Sequence, residues 1–170
     1  MLHEKDAWRL EAAKLLLRDV SQFSRGMGGL VLRQYQQEVA EAVLRSVFGG
    51  LGLSLVVMFP RQSGKNELQA QIEAFLLALY RNFEVEMVKV SPTWKPQSLN
   101  AMRRLERVLN RNLLTRGKWK KESGYIYRLG SARIFFLSGS PETNIVGATA
   151  NLLLQVDEAQ DVRTSKFDKD

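Results

Sequence analysis

The sequence predicts an α/β fold with a parallel sheet at its centre and helices flanking it, and two observations carry that expectation. An apolar run, Leu51 to Phe59, passes through the polar turn Pro60-Arg61-Gln62-Ser63-Gly64 into a run from about Leu68 with apolar residues at helical spacing. A second apolar run, Leu152 to Val156, ends abruptly in Asp157-Glu158-Ala159-Gln160-Asp161. Strand, tight turn and helix in the first case, and a buried strand ending in carboxylates in the second, suit a parallel sheet.

At 170 residues the chain is long enough to bury a sizeable core in one domain. Its 45% hydrophobic and 25% charged residues are ordinary for a globular protein. The absence of cysteine excludes disulfides and thiolate metal sites, and the single histidine, His3, sits near a terminus, which argues against histidine chemistry. No apolar run is long enough to cross a bilayer, and the first residues lack signal-peptide character. The expectation is an intracellular protein with no membrane partner. The net charge of +7 favours polyanionic partners.

Each element follows from its own pattern. From about Glu4 to Asp19, Trp8, Ala12, Leu15 and Leu16 recur at helical spacing and predict an amphipathic helix; Gly26, Gly28 and Gly29 then mark a flexible connection. Residues 1–29 thus read as a helix and linker. Leu32-Arg33-Gln34-Tyr35-Gln36 opens a helix with Tyr35, Val39, Val43 and Val47 on one face, ended by Gly49-Gly50. The helix after the polar turn carries Leu68, Ile72, Phe75, Leu76 and Leu79 and runs to about Arg81. A strand over 84–90 stops at Ser91-Pro92-Thr93, because proline has no N–H for a ladder.

From about Pro96 to Leu114 a helix buries Leu99, Met102, Leu105, Leu109 and Leu113 and exposes Arg103, Arg104, Arg107 and Arg111. Arg116, Lys118, Lys120 and Lys121 follow, with Trp119 among them. This basic cluster reads either as a solvated helix face and loop or as a surface for nucleic-acid phosphates. In the second case contact would be sequence-independent and salt-sensitive. Tyr125 to Leu129 and Arg133 to Leu137, around Gly130-Ser131-Ala132, predict a hairpin.

The two framing motifs carry the chemistry. A helix start leaves backbone N–H groups unpartnered and adds partial positive charge, so it favours an anion. Gly64 lets the backbone approach such an anion, and Lys65 reaches terminal phosphates. The pattern departs from G-x-x-x-x-G-K-[ST] at Phe59, in place of the first glycine, and at Asn66, in place of a hydroxyl residue. At the second motif, Asp157 suits a hydrated Mg²⁺, and Glu158 suits the orientation or deprotonation of a water attacking a γ-phosphate. Strand alternation would point these two side chains in different directions. Gln36 can pair with N6 and N7 of adenine together, or simply cap its helix. Gly64-Lys65 followed by Asp157-Glu158 indicates a P-loop ATPase with a catalytic glutamate, using ATP and Mg²⁺.

With these motifs in view, the sequence resembles the ATPase part of the large terminase subunit of tailed bacteriophages. The resemblance rests on Leu32-Arg33-Gln34-Tyr35-Gln36, on Pro60-Arg61-Gln62-Ser63-Gly64-Lys65-Asn66 and on Asp157-Glu158-Ala159-Gln160. The stretch Ser138 to Ala150 also looks like the one that precedes Walker B in that family, and terminases commonly carry Arg-Gln-x-Gly-Lys at the loop. The likeness spans roughly residue 30 to the end.

It implies an ASCE/RecA-like core in which Gln36 reads adenine and Arg61, Gln62, Ser63, Gly64, Lys65 and Asn66 hold the phosphates. Arg61 would also stabilise developing charge, Asp157 and Asn66 would face Mg²⁺, and Glu158 would be catalytic. The implied partners are double-stranded DNA, the portal protein, the small terminase subunit and further copies of the chain, in the host cytoplasm.

In that family a strand later in sequence lies between the Walker A and Walker B strands, and a nuclease domain follows. Residues 30–170 are therefore expected to be an incomplete ATPase domain, inactive alone, with apolar surface exposed where that strand would lie. Two other readings remain. One is a superfamily 2-type helicase, which shares the motifs in outline but usually has small residues where Arg61-Gln62 stand and Thr after the lysine. The other is a nucleotide-binding module without turnover.

Overall fold

The computed structural model describes residues 19–139 and 149–161. The Asp19 side chain accepts the Ser21 N–H at 2.8 Å and starts helix α1 (Val20–Gly28), which Gly29 closes with a left-handed φ of 67°. The glycine cluster expected to be a flexible connection is instead a helix and its stop, held by buried Val20, Phe23 and Ser24. The amphipathic helix expected over 4–19 lies almost wholly outside the described residues.

Helix α2 (Gln34–Gly49) ends at Gly50 as expected, but its buried face is Gln36, Ala40, Leu44 and Ser46. That face is one position on from the row Tyr35, Val39, Val43 and Val47, which is half-buried. The rotation follows from Gln36, whose amide bonds to Gly64 in the polar turn and so must face inward. Helix α3 (Lys65–Leu79) is buried at every position from Ala70 to Ala78. Phe75 meets Phe23 edge to face, with ring centroids 5.4 Å apart.

Strand β1 (Glu86–Ser91) leads through a turn at Trp94–Ser98 into helix α4 (Leu99–Arg111). Strands β2 (Trp119–Glu122), β3 (Ile126–Leu129), β4 (Ala132–Ser138) and β5 (Leu153–Val156) complete a five-stranded sheet of order β2-β3-β4-β1-β5. The neighbours β4, β1 and β5 run parallel, whereas β2 and β3 are antiparallel to their neighbours. The protein is thus α/β with a mixed sheet rather than a wholly parallel one, because the Gly130-Ser131 hairpin turns β3 back onto β4.

One face of the sheet, with Met87, Ile134 and Phe136, packs with α3 and α4 in the main core. On the other face Val88, Val90, Phe135 and Leu137 form a smaller cluster.

Three expectations fail for physical reasons. Leu51 to Phe59 forms no strand: the sheet ends at β5, no described strand pairs with the run, and Val56 and Met58 are 91% and 90% exposed. Only Phe59 packs against the core. The outer side of β5 likewise pairs with no described strand, and its Leu154 is 54% exposed. Leu113 falls beyond the end of α4 and is exposed, and Val108 takes a buried place on that helix. Finally, part of the basic stretch after α4 is strand β2, anchored by Trp119, whose ring lies tilted 38° against Tyr127 with centroids 5.6 Å apart, and by Lys121 pairing with Glu106 at 2.9 Å. Among the described residues no helix is long and apolar enough to cross a membrane.

The Tyr127 hydroxyl donates to Glu106 Oε1 at 2.5 Å and ties β3 to α4. Burial and the Glu106 carboxylate push the Tyr127 phenol well above its ordinary value. A phenol raised in the folded state contributes stability that is intact below the unfolded tyrosine value, about 10, and is lost as pH rises above it. Urea titrations at pH 7, 10 and 11 should therefore show the wild type losing about 1.4 kcal/mol per pH unit more than Tyr127→Phe above pH 10. At pH 7 the substitution should cost roughly 1.5 kcal/mol for the lost bond to a charged acceptor. Parallel pH profiles for the two proteins would contradict this account.

Candidate active site

The polar turn is held from behind by the start of α2. The Tyr35 hydroxyl donates to the Ser63 carbonyl at 2.7 Å, and Gln36 Nε2 donates to the Gly64 carbonyl at 3.2 Å. Tyr35 also packs edge to face on Phe59, with centroids 5.5 Å apart. Because a trans peptide points its N–H opposite to the preceding C=O, fixing the Ser63 carbonyl against Tyr35 turns the Gly64 N–H away from α2. Ser63 Oγ donates to the Pro60 carbonyl at 2.6 Å and tightens the turn further.

Glycine is required at 64. Its φ is +84°, and an added Cβ would stand 2.7 Å from Gln36 Nε2. Gln62 also adopts a left-handed φ, 62°, in the same turn.

Lys65 opens α3, and its ammonium lies 2.5 Å from Glu158 Oε1 and 3.0 Å from Asp157 Oδ1. The bonded residues Lys65 and Glu158 are 93 positions apart in sequence. The sheet brings them together: Asp157 N–H donates to the Val90 carbonyl at 2.8 Å, extending the β1–β5 ladder one residue beyond Val156. The chain then turns, with Glu158 at a left-handed φ of 47°. That turn overrides the expected strand alternation, so both carboxylates reach the same ammonium.

Gln160 Nε2 donates to Glu158 Oε2 at 2.7 Å and holds the second carboxylate oxygen. Partial burial opposes the charge on Lys65, but its bonds to Glu158 and Asp157 outweigh that cost and raise its pKa above the usual lysine value. The bond from Lys65, followed by that from Gln160, holds the Glu158 carboxyl below the usual glutamate range, with Arg61 adding a smaller push.

Of the residues singled out in sequence, Gln36, Ser63, Gly64, Lys65, Asp157 and Glu158 therefore converge. Arg61 and Gln62 are exposed on the turn and Asn66 is exposed on the first turn of α3. The Gln36 amide is already engaged at both ends, since Oε1 accepts the Arg33 N–H at 2.9 Å. One N–H and one lone pair of that amide remain for a base. Tyr35 and Gln160 were missed as site residues; both sit inside the quoted motifs, beside Gln36 and after Glu158.

The donor set suits a hydrated Mg²⁺ at Asp157: the residue is buried, and among the described residues the Lys65 ammonium, 3.0 Å away, is the charge its Oδ1 faces. Among the described residues no cluster of three acidic or histidine side chains offers a fuller cage. No family model matches the chain, and no curated protein matches it.

Proposed function

We propose that this chain binds Mg²⁺-ATP at the Lys65, Asp157 and Glu158 centre as the ATPase part of a phage large terminase subunit. ATP hydrolysis in the assembled motor would drive double-stranded DNA into a procapsid. The observation that carries the reading is the meeting of Lys65 with both carboxylates, Glu158 lying 93 positions away in sequence. A lysine at a helix N-terminus facing a buried aspartate and a more exposed glutamate is what phosphoryl transfer from a bound triphosphate needs.

In this arrangement Lys65 rests on Glu158 and Asp157 until a phosphate takes its ammonium. The exchange frees Glu158 to orient the attacking water, so ligand binding itself arms the base. The amides of Gly64 and Lys65 hold the phosphates, with Ser63, whose N–H donates to the Pro60 carbonyl at 3.3 Å, shaping the turn; Gln62 and Asn66 lie at the rim, and Arg61 stabilises developing charge. Asp157, with Asn66, would hold Mg²⁺, which supplies charge neutralisation on the phosphates. Gln36 offers its remaining N–H and lone pair to adenine. Double-stranded DNA, the portal, the small subunit and other copies of the chain are the partners this reading brings with it. The exposed run Leu51–Met58 and the side of β5 that pairs with no described strand agree with the resemblance, which implies a further strand there.

Titration calorimetry with Mg²⁺-ATP tests the proposal. Saturable binding is expected, weakened in Lys65→Ala by about 1.5–3 kcal/mol, the worth of a charge-assisted contact, or roughly ten- to a hundredfold. Absence of saturable binding by the wild-type chain would sink the ATP reading. Binding without hydrolysis in the assembled motor would leave a nucleotide-binding module instead.

A further inference from the structure

Helix α3 has no solvent-facing side along most of its length, since every residue from Ala70 to Ala78 is buried. An ordinary amphipathic helix is fixed in rotation by the contrast between its apolar and polar faces. α3 lacks that contrast, so its rotation rests on side-chain interdigitation and on buried polar contacts, of which Ser24 Oγ donating to Gln71 Oε1 at 2.9 Å is one. Something directional must set which way Lys65 points.

A buried polar cluster has that property. Lys89, at the middle of β1, is 2% exposed, and its ammonium donates to Glu73 Oε1 at 2.7 Å and to Gln69 Oε1 at 3.1 Å. Glu73 is 0% exposed, and its Oε2 accepts no hydrogen bond among the described residues. Lys65, Gln69 and Glu73 are spaced four apart, so they lie on one face of α3, turned toward the sheet. On β1 and β5, Lys89 is directly opposite Gln155, two residues before Asp157. The same strand face and the same helix face therefore carry both the Lys89 contacts and the Lys65 contacts.

We propose that Lys89, acting through Gln69 and Glu73, is a positioning residue that sets the rotation of α3 and thereby delivers Lys65 to Asp157 and Glu158. A buried ion pair adds little net stability over apolar residues of the same size, but its geometry admits one register. Apolar replacements at 89 and 73 should keep the fold and lose the register. The idea builds on the Lys65 centre described above, but its test requires no nucleotide.

The test uses a zero-length carbodiimide, which joins a carboxylate to an amine only where the two touch. In the wild type, mass spectrometry should find the Lys65–Glu158 cross-link, with Lys121–Glu106 on α4 and β2 as an internal reference. In folded Lys89→Met/Glu73→Leu the first cross-link should fall at least fivefold relative to the second, with a melting temperature at or above that of the wild type. Glu73→Gln, which keeps the shape and an acceptor for Lys89, should retain it. An unchanged ratio in the folded double variant overturns the proposal.

If the double variant does not fold, Gln69→Leu replaces it. That single loss of one Lys89 contact should lower the ratio at least twofold, and no change there overturns the proposal equally. A wild-type cross-link in a protein that fails to bind ATP would sink the ATPase reading and leave this inference standing.

Discussion

On the proposed ATPase reading, Glu158→Gln is expected to leave ATP affinity within about twofold of the wild type while lowering hydrolysis in the assembled motor by roughly 10²–10⁴-fold, the usual worth of a positioned general base. Glutamine keeps the shape of the side chain and an acceptor for Lys65, so the turn and the phosphate contacts are undisturbed. What disappears is the negative charge that can orient or deprotonate water once a phosphate has drawn Lys65 away.

The cost to folding should be small, about 0–1 kcal/mol, because the Lys65 and Glu158 side chains are 26% and 37% exposed. Steady-state phosphate release and single-turnover assays on the motor, with binding measured in parallel, separate the two effects. Equal loss of binding and turnover would mean that Glu158 holds the ligand rather than activating water. Unchanged turnover would remove it from the chemistry.

Lys89→Met alone is expected to destabilise the protein by about 3–5 kcal/mol in urea unfolding at neutral pH, because it leaves the Glu73 carboxylate buried with no opposite charge. Methionine fills nearly the same volume, so the loss is electrostatic rather than a cavity. Adding Glu73→Leu should recover most of it. A single substitution costing less than about 1 kcal/mol would mean that Glu73 finds water or another donor, and that the pair is not tightly closed.

Much of this architecture could be read from the chain alone, and the exceptions share one cause. The hairpin at Gly130-Ser131, the strand before Pro92 and the short strand before Asp157 were legible because turn residues and apolar runs are local signals. The convergence of Lys65 with Asp157 and Glu158 was legible because their order and flanking patterns leave few topologies. Whether Leu51–Phe59 enters a sheet was not, since a strand exists only when a neighbour supplies the other half of the ladder. The inward turn of Gln36, the hydroxyl contact of Tyr35 and the Lys89–Glu73 pair were equally hidden. Polar residues inside a helix read as solvent-facing until tertiary partners are known.

The run from Leu51 to Met58 contains no charged residue and no proline, and much of it lies open to solvent. Short, uncharged, β-prone segments of this kind are the ones that seed fibrils when they are left without cover. Light scattering that climbs with protein concentration, and that subsides when Val56 is changed to lysine, would reveal a handling hazard built into this chain. The stretch leading to the turn before Lys65 would then also be the segment through which the molecule precipitates.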